Sequence, residues 1–596
     1  GDARVDAAAT YQYIDLWSRF TTWGGNPPPG EDDSAVISEN QMLLLDYSPP
    51  RYFLIIVMGH LMFDPAVDIT LEATYIMVNF GRFTVGTPEK PYTKKATIRL
   101  YGDRLVPEIP VHGSKVLALR HGALDMHGIK RQPTWTRLAA TVDAETNQIK
   151  VKGPVDWVAG ETIVVVSTDY KMEHHEKRII SAVSGAATAE VTLTLNEALH
   201  YQHYGERQCF GTNNDVCVDE IAEVMLLDRN IVVEGDAESR TLGFGGTMFL
   251  MPMGETKDKH ARLSYVEFRD VGQQYIVGRY PVHFHITGSA NNSYVNGTSV
   301  HGSLNRAMSI HGVNNNTYVN NVAYDIQGHA FFIEDGSEQH NLIQNNAVAL
   351  VHSSTSNLNT DITPANFWIV SPTNTITGNA ACGGAAYGFW ISPFHPHSTG
   401  PTGSKSVCPA SHQLTKFANN VAHSNKKYGL NIFPFWWPKE KNCDFNGADH
   451  QAVIENHLSY KNKIHGLTMA HSDLGQVGAV IVDGLTSADN GELHVDGSAF
   501  WMDNKIKAEN GTCGIQNSVV IALTNNNPHV RKLHRRGINT CKHDNFFVKD
   551  ITFVNYKGNN WGLEPQNWAS RKSFCFPWGW EVVTSGLKWI DSPNKL

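Results

Sequence analysis

The residues best suited to chemistry lie in the segment RYPVHFH, which runs from Arg279 to His285. In an extended strand, side chains at positions i and i+2 point to the same face, so His283 and His285 share one face. A repeat of 24 residues places His311 on the next coil and Asp335 on the coil after it. Imidazoles and carboxylates stacked about 4.8 Å apart could bind a divalent metal, either calcium or zinc, or act as acid and base on a glycosidic bond.

These residues form the first predicted site. The predicted metal ligands are His283, His285 and His311, and the predicted catalytic residues are Arg279, His283, His285 and Asp335. Arg279 or Arg306 could also hold the carboxylate of a uronic acid through paired hydrogen bonds. The structural alternative is that the histidines and acids are buried, hydrogen-bonded partners in a polar-tipped core strand.

A second set of candidate catalytic residues lies in the segment VDWVAGETIVVVSTDY. Asp156 and Asp169 flank a predicted strand there and could frame a cleft where two domains meet. The structural alternative is that Asp156 opens a tight turn before Gly160 and that Asp169 caps a strand end.

Aromatic residues in the later part of the chain form a third candidate site. Sugar rings stack on exposed indole rings, so we predict glycan binding by Trp390, Trp436, Trp437 and Arg306. The structural alternative is a small hydrophobic cluster packed beneath long loops.

Composition limits the class of protein that positions these residues. The chain has 596 residues, of which 41% are hydrophobic and 18% are charged, which excludes a disordered or collagen-like chain. A net charge of −9 gives no reason to expect nucleic-acid binding. The most apolar run, residues 52–63, is too short to span a bilayer, so we expect no membrane insertion by this chain itself. Because it begins GDARVDAAAT, without Met or a signal segment, we expect a mature chain or a fragment.

Cysteines and glycosylation sequons indicate an extracellular chain. An even number of cysteines without a C-x-x-C motif favours disulfides. The predicted pairs are Cys209–Cys217, Cys513–Cys541 and Cys382–Cys408. The predicted N-glycosylation sites are Asn291, Asn296, Asn315 and Asn510.

A sequence repeat predicts the fold. Most of the chain reads as short strands separated by Gly, Asn and Pro. Tyr294, Tyr318 and Leu342 are each 24 residues apart, and we expect them to stack. A period of this length with about three strands is typical of one coil of a parallel β-helix. Asn suits the corners because it tolerates left-handed backbone angles and can form ladders of side-chain hydrogen bonds. A propeller or a sandwich would not show this period.

The order of several longer motifs carries a family resemblance. The opening LWSRFTTWGGNPPPGEDDSAVI (16–37) and MLLLDYSP (42–49) resemble the eight-glycine domain of vertebrate extracellular proteins. TWTRLAATV, AEVMLLDRNIVVEGD, GRYPVHFHITG and the final SPNKL continue the resemblance. Together they resemble the family of fibrocystin, fibrocystin-L, the cell-surface hyaluronidase transmembrane protein 2 and the cell migration-inducing hyaluronan-binding protein. The SPNKL ending favours the fibrocystin-L-like branch.

The repeat and the resemblance together predict an all-β chain in three parts. We expect an eight-glycine β domain over 12–138, irregular first coils over 139–260, and a right-handed parallel β-helix over 261–596 with enlarged insertions at about 350–450. The resemblance implies a structural or adhesive ectodomain module at a cell or ciliary surface, with glycan binding as an added role. The alternative is a hyaluronidase-like enzyme. The implied partners are an acidic polysaccharide such as hyaluronan, or other cell-surface or filament proteins.

Overall fold

The computed structural model describes ten segments of the chain. These are residues 13–253, 258–355, 358–469, 476–491, 493–497, 513–526, 536–540, 546–557, 561–565 and 582–593. Their regular structure is almost entirely β-strand, because short apolar runs alternate with Gly, Asn and Asp turns. The short helical turns are Phe20–Trp23, Met172–His174, Ser239–Leu242, Asn359–Ile362 and Pro409–Ser411. Within these segments no helix is long and apolar enough to cross a membrane.

The N-terminal strands are the first coils of a β-helix. They are β1 (Asp15–Leu16), β2 (Ser34–Ile37), β3 (Met42–Leu45), β4 (Tyr52–Val57), β5 (His60–Phe63), β6 (Ile69–Asn79), β7 (Arg82–Val85), β8 (Ala96–Leu100), β9 (Val116–Arg120) and β10 (Ala123–His127). Neighbouring strands pair in parallel, as in β3–β5–β7–β10 and β4–β6–β9. The sequence predicted a separate domain here, whereas these strands stack into the same sheets as the later coils.

The segment from β11 to β18, residues 135–226, differs from the irregular coils that the sequence predicted. Its strands are β11 (Trp135–Arg137), β12 (Gln148–Lys152), β13 (Thr162–Val165), β14 (Glu176–Ser184), β15 (Glu190–Leu195), β16 (Arg207–Phe210), β17 (Val216–Asp219) and β18 (Glu223–Leu226). Six of them form an antiparallel sheet in the order β11-β18-β13-β14-β15-β12. Alternation of buried and exposed side chains, as in EVTLTL of β15, suits a sheet with one solvated face. We call residues 135–226 the insert.

The remaining strands continue the β-helix after the insert. They are β19 (Ile231–Gly235), β20 (Thr247–Met251), β21 (His260–Ser264), β22 (Val266–Arg269), β23 (Val282–Ser289), β24 (Tyr294–Asn296), β25 (Ser299–Ser303), β26 (Met308–Asn314), β27 (Thr317–Val319), β28 (Val322–Gln327), β29 (Phe331–Ile333), β30 (Leu342–Gln344), β31 (Ala347–His352), β32 (Ala365–Ile369), β33 (Thr375–Thr377), β34 (Ala380–Gly384), β35 (Tyr387–Ile391), β36 (Lys416–Ala418), β37 (Val421–His423), β38 (Tyr428–Ile432), β39 (Phe435–Trp436), β40 (Ala452–Glu455), β41 (Leu458–Tyr460), β42 (His465–Met469), β43 (Gln476–Val477), β44 (Val480–Asp483), β45 (Thr486–Ala488), β46 (Leu493–Gly497), β47 (Cys513–Ile521), β48 (Arg536–Thr540), β49 (Phe546–Val554), β50 (Trp561–Pro565), β51 (Val582–Ser585) and β52 (Lys588–Ile590).

Three parallel sheets wrap around one core, which confirms the predicted parallel β-helix. Sheet A contains β10, β21, β24, β27, β30 and their successors. Sheet B contains β8, β19, β22, β25, β28, β31, β34 and β37. Sheet C contains β9, β20, β23, β26, β29 and β32. Strands β8, β9 and β10 join directly to the coils after the insert, so the insert branches off between two adjoining coils.

The stacking register differs by one residue from the predicted one. Tyr294 pairs with Thr317, and Thr317 pairs with Leu342, so successive coils advance by 23 and then 25 residues. Tyr318 therefore stacks with Ile343 and is fully buried in the core. A shift of one residue moves a strand side chain to the opposite face, which explains why Tyr294 instead lies on the outside.

Asparagines at the corner between sheets A and B form the predicted ladder. The first Asn of each corner, such as Asn320 and Asn345, has a left-handed backbone. The second points inward, and the Asn346 Oδ1 atom accepts hydrogen bonds from Asn321 N and Nδ2, both at 2.9 Å. The Asn346 Nδ2 atom donates to the Tyr318 carbonyl at 3.0 Å. Each rung thereby satisfies backbone groups of the neighbouring coil that would otherwise be buried without partners.

The cysteines form one of the predicted pairs and one that was not predicted. Cys209–Cys217 joins β16 to β17 as predicted. Cys408 pairs with Cys443. The predicted Cys382–Cys408 pair is wrong because Cys382 lies in sheet B as a buried free thiol, whereas Cys408 lies in the long loop after β35. The predicted partner of Cys513, Cys541, lies outside the described residues, and Cys513 is a buried free thiol.

The Asn ladder leads to a prediction about stability. Asn346→Ala should lower the free energy of unfolding by about 2–4 kcal/mol, because it strands the buried Asn321 N–H and Tyr318 carbonyl at about 1–3 kcal/mol each. The matched control is the exposed neighbour Gln344→Ala, which should stay within about 0.5 kcal/mol. Equal urea midpoints for the two variants would contradict a structural role for the ladder.

Candidate functional site

The predicted histidines come together on the outer face of sheet C. Strand β23 alternates, so Phe284 enters the core while His283 and His285 point outward. On the next coil, β26 places His311 beside His285 in the parallel register. One ring nitrogen of each histidine lies within 4.8 Å of the others. We call His283, His285 and His311 the histidine cluster.

His283 offers a bare nitrogen to the cluster. A carbonyl oxygen can only accept, so the Nδ1 atom of His283 must donate its proton to the Gly278 carbonyl at 2.8 Å. The neutral ring then has a lone pair on Nε2, which is buried and has no hydrogen-bond partner in the described part of the chain. Burial, together with the neighbouring His285 and His311, holds the pKa of His283 well below its ordinary value.

His285 and His311 face each other through the same ring nitrogen, Nδ1. Their Nδ1 atoms are 3.0 Å apart, so a proton or a metal ion must lie between or beside them. Burial, followed by the His311 charge, lowers the pKa of His285 to about 4. His285 is only partly buried, whereas His283 and His311 are buried, so the cluster opens to solvent on the His285 side.

Two carboxylates lie beside His311, and one of them orients its ring. Its Nε2 atom donates to Asp335 Oδ2 at 3.1 Å, and Thr402 donates to the same oxygen from N at 3.0 Å and from Oγ1 at 2.7 Å. The Glu334 Oε2 atom lies 3.6 Å from His311 Nδ1. Burial alone would lower the pKa of His311, but the Asp335 hydrogen bond and the Glu334 charge raise it above its ordinary value.

The donor set matches a transition metal better than calcium. Zinc binds imidazole nitrogen and carboxylate oxygen, whereas calcium prefers six to eight oxygen ligands. Metal-binding histidines usually donate their second N–H to a carbonyl or a carboxylate, as His283 does to Gly278 and His311 does to Asp335. Of the two metals predicted, zinc therefore fits the residues present.

Both arginines that were predicted to hold a uronate carboxylate are already paired with acids of the protein. Arg279 pairs with Glu108 at 3.0 Å and donates to the Val111 carbonyl at 3.1 Å, which ties sheet C to an N-terminal loop. Arg306 is fully buried and pairs with Asp361 at 3.1 Å. The prediction that Arg306 binds a glycan is corrected here, because its guanidinium has no open face.

The carboxylates of the second predicted site are structural and lie elsewhere. Asp156 accepts a hydrogen bond from Gln132 N at 2.8 Å and contacts Arg131 at 3.3 Å, as a turn residue does. Asp169 contacts His174 at 3.3 Å. Both belong to the insert, which packs against sheet B, so the structure does not bring them to the histidine cluster on sheet C.

The three predicted glycan-binding tryptophans are packed inside. Trp390, Trp436 and Trp437 are each less than 10% exposed. The indole N–H of Trp390 donates to the Phe433 carbonyl at 2.8 Å, and that of Trp436 donates to the His412 carbonyl at 3.1 Å. The structural alternative of a packed aromatic cluster is therefore the correct one, since these rings present no face to a sugar.

The sequons differ in their exposure. Asn291 and Asn315 are exposed, Asn296 is half-buried, and Asn510 lies outside the described residues. Sequence reasoning missed Thr402, whose contact with Asp335 joins segments 67 residues apart in the chain. Nothing in the repeat marks it, because it lies in a loop between coils.

Two family models match the chain. Residues 22–139 match the G8 domain, and residues 243–430 match the CEMIP beta-helix. Fibrocystin-L of Mus musculus is 37% identical over 471 residues, covering 72% of this chain and 11% of that protein. Fibrocystin-L of Homo sapiens is 36% identical over 476 residues, covering 74% and 11%. Communication mutant protein F of Dictyostelium discoideum is 28% identical over 397 residues, covering 63% and 34%. The chain thus spans about a tenth of the length of the fibrocystin-L relatives.

Solved structures with detectable likeness include a phage tailspike and a bacterial glucanase. The Gp54 tailspike of Acinetobacter baumannii bacteriophage AP22 is 12% identical with a TM-score of 0.19, covering 97% of this chain and 79% of the other. The GH87 alpha-1,3-glucanase of Streptomyces thermodiastaticus is 10% identical with a TM-score of 0.31, covering 77% and 97%. These TM-scores are too low for either structure to bear on the function of this chain.

The burial of Arg306 gives a prediction that separates structure from glycan binding. Arg306→Met should destabilise the protein by about 3–5 kcal/mol, because it removes the arginine partner of the buried Asp361 carboxylate. The matched double variant Arg306→Met/Asp361→Leu should recover part of that loss in thermal unfolding. Normal stability combined with weaker hyaluronan binding in Arg306→Met would instead support the original glycan role.

Proposed function

The chain belongs to the proteins in which a G8 domain precedes a CEMIP β-helix, in the fibrocystin-L-like branch, and from this we propose that it is an ectodomain module that binds an acidic polysaccharide at a metal site. The observation that carries the proposal is the bare Nε2 atom of His283. It is buried without a hydrogen-bond partner in the described part of the chain, and one ring nitrogen of His283 lies within 4.8 Å of a ring nitrogen of His285 and of His311. A buried lone pair beside two other imidazoles is costly unless a cation occupies the space between them.

The residues of the cluster divide into ligands and supports. His283, His285 and His311 would hold a divalent metal of the zinc type, and the Glu334 carboxylate lies 3.6 Å from the Nδ1 atom of His311. A bound metal of this kind supplies a positive charge and Lewis acidity to oxygen ligands. Asp335 fixes the orientation of His311, and Thr402 fixes Asp335. A glycan would approach from the side of His285, which is the partly exposed member of the cluster.

Charge explains why the metal would matter for an acidic polysaccharide. The chain has a net charge of −9, and the arginines on this face, Arg279 and Arg306, are paired with acids. A cation at the histidine cluster would therefore be the local attraction for a uronate carboxylate. Hyaluronan, which carries one uronate in each disaccharide, is the proposed partner class.

The proposed location is outside the cell, at a cell or ciliary surface. Disulfides persist in oxidising compartments, and Cys209–Cys217 and Cys408–Cys443 are both formed. Two of the predicted glycosylation sites, Asn291 and Asn315, have exposed side chains, as attachment of a glycan requires.

Polysaccharide cleavage is the second candidate, and the pair of acids beside His311 favours it. The Glu334 side chain is 17% exposed and lies next in sequence to Asp335. An acid that reaches solvent beside an imidazole–carboxylate pair can serve as a general acid or base on a glycosidic oxygen. Cleavage and binding are separated by following the chain length of size-defined hyaluronan, since binding alone leaves it unchanged.

Removal of one ligand tests the proposed function. His285→Ala should lower metal affinity at least about 10–100-fold and weaken the binding of hyaluronan oligosaccharides in parallel, because one of three nitrogen ligands is lost. Metal content by mass spectrometry and hyaluronan binding by titration calorimetry, each with and without chelator, measure the two effects. The control is His340→Asn on the exposed corner after β29. The proposal would be refuted if the wild-type protein takes up no divalent metal, or if chelator does not change its binding of hyaluronan.

Acid should release the metal. Protons compete with the metal for His311, whose pKa lies above the ordinary histidine value of about 6.5. Metal affinity should therefore start to fall as the pH drops through neutrality and continue to fall below it. In Asp335→Asn the pKa of His311 should drop, which shifts this loss to lower pH. A metal-binding profile that does not change between pH 8 and pH 5.5 would contradict ligation by His311.

A further inference from the structure

A second group of metal-ligating side chains lies between the insert and sheet B. It consists of Glu223 on β18 of the insert, Cys382 on β34 and His423 on β37. All three side chains are fully buried, and one ligand atom from each lies within 4.8 Å of the others. Cys382 and His423 are direct partners in the parallel register, so they face the insert from adjoining coils.

Hydrogen bonds around His423 determine where its proton lies. The Ser424 hydroxyl donates to the Ser167 carbonyl at 3.0 Å, because a carbonyl can only accept. Ser424 Oγ therefore accepts from His423 Nδ1 at 3.1 Å. When the ring is neutral, its only proton is therefore on Nδ1, and the lone pair of Nε2 faces Glu223 Oε2, which is 3.0 Å away.

Three electron-rich atoms then meet at one buried point. The Cys382 Sγ atom lies 3.5 Å from the same Glu223 oxygen that His423 faces. Arg137 Nε lies 3.3 Å from the other carboxylate oxygen, Oε1. A lone pair cannot face a carboxylate oxygen at 3.0 Å without a proton or a cation between them.

We propose that Glu223, Cys382 and His423 bind a structural zinc ion that fastens the insert to two successive coils of the β-helix. Thiolate sulfur, imidazole nitrogen and carboxylate oxygen are the ligands that zinc takes in proteins, and all three side chains that supply them here are buried. Ser424 would be the supporting partner that fixes the ring of His423. On binding, a zinc–sulfur bond replaces the S–H bond of Cys382, and the thiol proton is released to solvent.

The site differs from the histidine cluster in chemistry and in role, and the inference does not depend on the proposed function. The histidine cluster contains no sulfur and opens to solvent at His285, whereas this site contains a thiol and is closed. The competing arrangement has no metal: the thiol and a charged imidazole both donate to Glu223. The two arrangements predict different spectra and different metal contents.

Cobalt substitution tests the proposal in the whole chain. Co²⁺-loaded wild-type protein should show a sulfur-to-cobalt charge-transfer band in the near ultraviolet, because Cys382 would be a thiolate ligand. Cys382→Ser should abolish the band. The matched control Cys513→Ser, which alters another buried free cysteine, should retain it. A wild-type spectrum without the band, or a band that survives in Cys382→Ser, would overturn the proposal.

Metal content of a histidine-cluster variant gives an independent measurement that does not require an altered Cys382. Protein carrying His285→Ala should still contain about one zinc per chain after dialysis, and chelation of that zinc under mild denaturant should lower its thermal midpoint. No retained zinc in that variant would overturn the structural site. Zinc retained here but absent from the cluster of the wild-type protein would refute the proposed function alone.

Discussion

The hydrogen bonds between successive coils are the constraint on which the rest of this structure depends. Each strand pairs in parallel with the equivalent strand of the next coil, so equivalent side chains stack at one strand spacing. Alternate side chains in a strand then enter the core or face outward as columns. Phe331, Phe367 and Phe389 stack in this way within the core, with ring centroids 4.9 and 4.7 Å apart. His285 and His311 of the histidine cluster are stacked in the same way on the outside of sheet C.

The same constraint explains why polar residues are buried at the corners. A chain that turns between two sheets leaves backbone groups that no strand can satisfy, and the inward Asn side chains satisfy them. Because each Asn bonds to the coils above and below, a rung such as Asn346 depends on Asn321 and Asn379 in turn. The corner therefore helps to keep successive coils in register with one another.

The features predictable from the sequence are those that follow from this repeat. The alternation in VHFH placed His283 and His285 on one face, and the recurring Asn identified the corners. The repeat did not specify the length of each coil, so a uniform advance of 24 residues misplaced Tyr318 by one position. It also carried no information about the insert, whose antiparallel pairing has its own short-range pattern. The burial of Trp390 and Arg306 depends on loops that pack from distant parts of the chain, which residue type alone does not reveal.

The insert covers the outer face of sheet B, so the outward side chains of that sheet become buried. Outward residues of sheet B, among them Ala347, Ala349 and Cys382, pack against the core of the insert. Outward residues of sheet C near His285 keep a side open to solvent. Columns with similar metal-binding side chains thus have different chemistry: a covered column can only hold the fold together, whereas an open column can exchange a ligand. The path of the chain between β10 and β19 therefore decides which face of this β-helix is available for binding.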